Sequence, residues 1–191
     1  MARASASLRT HPLTADRWDD LATLFGPRGG CAGCWCMFWR RPRREWEAGK
    51  GAGNRRAFQA VVKAGPPPGI IAYGAGEPVG WCALAPRSSY SGLTRSRVLR
   101  PVDASPVWSI SCFFVRRDWR RRGVTVVLLD AAADFARQHG ATVLEGYPID
   151  TRGKLQPAAF VWFGTMESFQ RAGFEEVARR SPTRPIMRRS L

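Results

Sequence analysis

The chain has 191 residues, 45% hydrophobic and 11% aromatic with eight tryptophans, a composition that excludes a disordered or repetitive polypeptide. Lysine plus arginine number 30 against 15 acids, a formal charge of +15, which favours polyanionic partners such as CoA phosphates, an acidic substrate or RNA. The longest apolar run, VTVVLL, is far short of the roughly 20 residues a membrane helix needs, and the N-terminal MARASASLRTHPLTADRW lacks the apolar core of a secretory signal, so no membrane association and a cytoplasmic location are expected.

In chain order, TADRWDDLATLFG places Trp18, Leu21, Leu24 and Phe25 on one helical face, with Gly26-Pro27 as the stop. A Gly/Cys/Trp/Arg-rich segment follows. A second helix begins at Asn54, turns Phe58, Val61 and Val62 inward, and ends at Gly65 and three prolines. GIIAY and VGWCALA, separated by GAGEP, read as a β-hairpin. A polar loop spans about 86–106, and VWSISCFFV is a strand by its β-branched and aromatic content. After a turn over 116–122, Gly123 opens a helix with Val124, Leu128, Ala131 and Phe135 on one face, closed by His139-Gly140. ATVLEGY is a strand. A long connection containing GKLQPAAFVWFG leads to a short helix capped by Thr165, and FEEVARR and RPIMRR form a final strand pair. One further strand is expected near residues 6–12. Without a repeat or a linker, residues 1–191 read as a single domain of α/β class, with a βαβ unit at its centre.

The stretch Trp119–Ala132, WRRRGVTVVLLDAA, carries the sharpest chemistry. The first turn of a helix leaves N–H groups unpaired at the positive end of the macrodipole, where a phosphate collects several hydrogen bonds at once. Gly123 lets the backbone approach such a group, and Arg120, Arg121 and Arg122 add charge around it. Neither GxxxxGK[ST] nor GxGxxG is present. The arrangement resembles instead the acetyl-CoA signature of the GCN5-related N-acetyltransferases, [QR]-x-x-G-x-[GA], read here as Arg120-Arg121-Arg122-Gly123-Val124-Thr125. FFVRRDW before it matches the usual hydrophobic–x–Val–x–x–acidic–aromatic approach, and SFQRAGFEEV resembles the family's [FY]-x-x-x-G-F segment. Thr125 departs from the Gly or Ala of the signature.

The resemblance implies a mixed sheet of six to seven strands flanked by about four helices, with two splayed parallel central strands. It implies acyl transfer, acetyl above all, from acyl-CoA to an amine by direct attack. Pantetheine would pair with the backbone near Phe113, Phe114 and Val115, the pyrophosphate would lie at Arg120–Thr125, and a backbone N–H near a strand bulge would polarise the carbonyl. Glu145 resembles the carboxylate that acts as base in ribosomal-protein N-terminal acetyltransferases, a role that burial at a splayed strand would favour. Phe169 stands beside the cofactor at the position of the family's Tyr acid and cannot donate a proton, so Tyr147 is the substitute candidate. Dimers are common in the family, so a homodimer is among its expectations.

In GGCAGCWCMFWRRPRREW, the spacing of Cys31, Cys34 and Cys36 lacks the second paired motif of a zinc site, so no metal is expected. Trp35 and Trp39 interleaved with Arg40, Arg41, Arg43 and Arg44 are candidates for contacting the acceptor or a nucleic acid, by stacking and by phosphate contacts. The +15 charge, the Thr125 departure and the missing Tyr keep open an alternative in which the same fold uses aminoacyl-tRNA as donor or acceptor; a further alternative is a degenerate acyltransferase fold that only binds.

Overall fold

The computed structural model describes residues 7–157 and 160–191. Seven strands, β1 (Arg9–Pro12), β2 (Gly69–Gly74), β3 (Glu77–Pro86), β4 (Trp108–Val115), β5 (Val143–Gly146), β6 (Glu175–Arg179) and β7 (Pro185–Ser190), form one sheet in the order β1-β2-β3-β4-β5-β7-β6. Neighbours are antiparallel except β4 and β5, which the crossover helix makes parallel.

Among the described residues six α-helices accompany it: α1 (Trp18–Phe25), α2 (Arg43–Ala48), α3 (Ala52–Ala64), α4 (Ser91–Arg95), α5 (Val124–Gln138) and α6 (Met166–Arg171). The sequence predicts about four. The two extra ones, α2 and α4, span six and five residues, too few to show a helical period. Thr165 caps α6 as expected, its hydroxyl accepting from Ser168 N.

Alternation along the strands sorts the core. Ile70, Cys82, Ile110 and Phe113 face α5 through Val124, Leu128 and Ala132. Ile71, Trp81 and Ala83 face α1 and α3 through Leu21, Phe25 and Phe58. A third cluster joins Tyr90, Leu93 and Leu99 to Tyr147, Phe163 and Ile186.

Two features of this frame position the site. A Cβ at Gly80 would fall 2.6 Å from Val124 Cγ1, so the bare glycine lets the start of α5 settle directly on β3. The β3–β4 register shifts between Ala83, opposite Cys112, and Leu84, opposite Ile110, which leaves Ser111 as the extra residue of a bulge.

Candidate functional site

β4 and β5 are paired only over Trp108–Leu144, Ser109–Glu145 and Ile110–Gly146. β4 continues to Val115, so its second half has no β5 beside it, and the bulge marks the parting. The two strands are splayed in the sense the sequence predicts.

At the open end, Gly123 adopts the left-handed conformation, φ +78°, immediately before α5. A Cβ there would meet nothing within 4 Å, so the approach is clear. Among the described residues no backbone carbonyl accepts from the N–H groups of Arg122, Gly123, Val124 or Thr125. Arg120, Arg121 and Arg122 are exposed around this turn, and Arg122 also lies over the Trp119 ring. Trp119 is buried against Gly74, where a Cβ would come within 2.3 Å of the indole. The turn is thus anchored by an aromatic and a glycine contact, while among the described residues the four N–H groups from Arg122 to Thr125 keep no carbonyl partner. Arg120 Nε donates to Val115 O at 3.1 Å, and Arg116 N to Val79 O, so the turn is tied to the end of the sheet.

The closed end is different. Glu145 has no exposure, and its carboxylate is surrounded by donors. Oε1 accepts from Arg87 Nη1 at 2.8 Å and from the Tyr147 hydroxyl at 2.6 Å; Oε2 accepts from Arg188 Nε at 2.8 Å. Tyr147 also contacts Ser109 Oγ at 2.8 Å and Arg87 Nη1. Burial, and then the Glu145 charge, push the Tyr147 phenol well above its usual range. Arg87 further donates to the carbonyls of Leu93 and Leu99, and Arg188 to the Asp103 carboxylate. The two residues expected from sequence as base and acid therefore form a buried ion-pair network, and neither has surface facing solvent.

Across the gap, chain from the long connection returns. Phe113 N donates to the Trp162 carbonyl at 2.6 Å, and Ile149 N to the Gly164 carbonyl at 3.0 Å. Trp162 meets Phe38 edge-on at 5.6 Å and stacks on Phe163, whose other neighbours are Trp39 and the Arg184 guanidinium. Phe114 and Val115 are half-buried, and Phe113 is buried against Phe169. Phe169 is fully buried, between Phe113, Phe174 and Gly146, and thus belongs to the core below the gap.

The N-terminal candidates separate. Trp35, expected at an acceptor or nucleic-acid surface, is a core residue, 4% exposed and stacked on Trp18. Trp39 and Arg40 are half-buried, with Arg40 over the Tyr90 ring and Nη2 3.4 Å from its hydroxyl. Arg41 is half-buried, Arg44 is exposed, and Arg43 is exposed and paired with Glu47. Of these candidates, Trp39 packs on Phe38 and Phe163 and Arg40 on Tyr90, so both join the aromatic cluster across the gap. Among the described residues no three His, Cys, Asp or Glu side chains are grouped as metal ligands would be.

Arg87, Arg188 and Trp162 escape sequence reasoning. The arginines lie 58 and 43 residues from their carboxylate partner, and Trp162 acts through its backbone.

Comparison with known proteins agrees with this geometry. The Acetyltransferase (GNAT) family model matches residues 34–151, more than half of the chain. No curated protein matches the sequence. Among solved structures, an aminoglycoside N-acetyltransferase AAC(6')-Iy in complex with CoA superposes with a TM-score of 0.57 at 17% identity, over 95% of both chains. A GCN5-related N-acetyltransferase from Kribbella flavida gives 0.54 at 18% identity, over 96% of this chain and 98% of that one. The PaiA N-acetyltransferase from Thermoplasma acidophilum in complex with coenzyme A gives 0.54 at 10% identity, over 97% and 99%. With the matched segment running from the aromatic N-terminal region through β4, the glycine turn and β5, the chain belongs to the GNAT family of acetyltransferases.

Proposed function

We propose that this chain, acting as a single domain, transfers an acyl group, acetyl first of all, from acyl-CoA to an amine. The observation that carries the reading is the turn at Arg120–Thr125. It has a left-handed glycine with open space above it, N–H groups without carbonyl partners, three exposed arginines, and a position directly after the half of β4 that β5 leaves. A pyrophosphate at that turn receives several hydrogen bonds and the favourable end of the α5 dipole. Two of the neighbours above were solved with CoA, which supports the same donor here.

Pantetheine in this reading runs from the turn along Val115 and Phe114 toward Phe113, with the thioester near the Ser111 bulge. The amine attacks the thioester carbon, and the carbonyl oxygen takes up negative charge beside the Phe113 N–H. Collapse of the tetrahedral intermediate forms the amide and releases CoA as thiolate. The Phe113 N–H is suited to the oxyanion because it already donates a short bond to a carbonyl oxygen at that place. Glu145 and Tyr147 act by position: they hold β5 to β4 at the point of divergence and so set the width of the groove. The ammonium proton leaves through water. Trp39 and Arg40 border the acceptor side.

Calorimetric titration of acetyl-CoA into the nucleic-acid-free protein tests the donor, and micromolar binding is expected. Gly123→Asp places bulk and negative charge at the phosphates and should weaken that binding by at least about a hundredfold. Undiminished affinity in this variant would remove the turn from the site.

A further inference from the structure

Strand β4 does not face empty space where β5 leaves it. An N–H group two residues past the bulge, that of Phe113, is already satisfied by a carbonyl from the protein's own chain, Trp162 O at 2.6 Å. In the reading above, that N–H serves the thioester carbonyl. Two oxygens of the same chemical kind therefore compete for one donor.

The described residues on the two sides of Trp162 differ. Toward its C-terminus the segment is tied to the chain after β5. Gly164 O accepts from Ile149 N at 3.0 Å, Met166 N donates to Ile149 O at 2.9 Å, and Thr165 bridges Ile149. Toward its N-terminus it carries two large apolar side chains in water, Leu155 at 92% exposure and Phe160 at 61%. Between the two ends, Gly164 has φ +80°, a conformation that glycine alone adopts without strain, and a Cβ there would press on both Phe113 and Phe169. A rotation about Gly164 would lift Trp162 off β4 and leave the Ile149 anchor in place. What keeps Trp162 down is mainly aromatic: its ring on Phe38 and Phe163, and Phe163 under Arg184 at 3.7 Å.

We propose that residues 161–164 form a built-in occupant of the acyl end of the groove, in which the Trp162 carbonyl holds the place of the thioester carbonyl and acyl-CoA binds by displacing it. The proposal rests on the acyl-CoA reading. The hydrogen-bond count at Phe113 is unchanged by the exchange, because one carbonyl acceptor replaces another, so that bond adds little net cost. The cost lies in the aromatic contacts of Trp162 and Phe163. It lowers apparent affinity by the fraction of molecules whose groove is open. Without ligand, the strap keeps water and stray carbonyl compounds from the Phe113 N–H.

The test uses acetyl-CoA as probe on the wild-type chain and on Trp162→Ala. Trp162 is half-buried, so the variant is expected to fold, and Trp162→Phe preserves an aromatic ring as a control. Calorimetry should show Trp162→Ala binding about tenfold tighter than wild type, as expected if roughly nine molecules in ten have the strap down, and Trp162→Phe should return toward wild type. Amide hydrogen exchange on wild type should show residues 160–164 exchanging faster once acetyl-CoA is saturating, while 113–115 become slower. Equal affinities, with exchange in 160–164 unchanged or slowed by the ligand, would overturn the displacement and leave the acyl-CoA reading standing. No binding to any of the three proteins at millimolar concentration would overturn the acyl-CoA reading, and this proposal with it.

Discussion

The two halves of β4 solve opposite problems. From Trp108 to Ile110 the strand is paired on both sides, and charge beside it is buried and cross-linked: Glu145 with no exposure, Arg87 and Arg188 with side chains 11% and 14% exposed. From Ser111 to Val115 β5 is no longer beside it, and it leads to a turn in which, among the described residues, the N–H groups of Arg122, Gly123, Val124 and Thr125 have no backbone carbonyl partner. One half uses its charges on itself; the other keeps Arg120, Arg121 and Arg122 exposed, where the proposed donor would lie. A groove between parallel strands needs both, because strands that part must be held firmly where parting begins.

The largest effect on stability should come from breaking the closed half. Glu145→Ala leaves the Arg87 guanidinium without a carboxylate and takes from Arg188 one of its two, which costs about 3–5 kcal/mol for a broken buried pair. Denaturant unfolding measures it. Glu145→Gln sharpens the comparison, because it separates a structural carboxylate from a proton acceptor. If the network only holds β5, the folded fraction of the Gln variant keeps turnover within a few-fold, with an unaltered pH profile. Full stability with turnover lost would assign the proton transfer to Glu145.

A smaller loss is expected where the strands begin to part. A Cβ at Gly146 would sit 2.1 Å from Phe169 Cε1 and 2.7 Å from Cζ, and Phe169 is fully enclosed. Gly146→Ala should destabilise by about 1–3 kcal/mol, the usual range for overpacking a core. It should also shift β5 relative to β4, and so weaken acetyl-CoA binding more than its stability cost alone explains. An unchanged midpoint of unfolding would mean that Phe169 has room to move, contrary to its surroundings.

The same contrast explains what the sequence could reveal. The β4–turn–α5 unit was legible because the hydrophobic period changes from two to 3.6 across a single glycine, a local signal. Glu145 was legible as a carboxylate on β5, but its environment was not. Its partners come from the end of β3 and from β7, and only the folded sheet brings them together. Trp35 and Trp39 stand four residues apart in one aromatic and basic stretch, yet one is core and the other joins the aromatic cluster across the gap. Positive φ at Trp35 and Cys36 turns the chain there, and no periodicity announces such a turn. The Trp162 contact was illegible for a third reason: it is made by a backbone carbonyl, which every residue has.

The smallest effect sits at the rim of the closed half, where Arg188 serves two carboxylates at once. Its Nε goes to buried Glu145, and its Nη1 and Nη2 go to Asp103, whose side chain is 46% exposed. The hydrogen bonds from Arg188, then one from Ser105 N, lower the Asp103 pKa from 3.8 to about 2. A carboxyl whose folded pKa is depressed binds fewer protons folded than unfolded between those two values, so stability rises with pH there. Its contribution is complete above about pH 4 and vanishes as pH falls through about 2. Asp103→Asn should therefore lower stability by a small amount that is constant from pH 5 to 8, well below the loss in Glu145→Ala, since exposed pairs are weak and screened by salt. The wild-type and Asn curves should converge as the pH approaches 2. A gap that persists at that pH would show that the Asp103 side chain contributes through packing or neutral hydrogen bonds, so that Arg188 would be held by its buried partner alone.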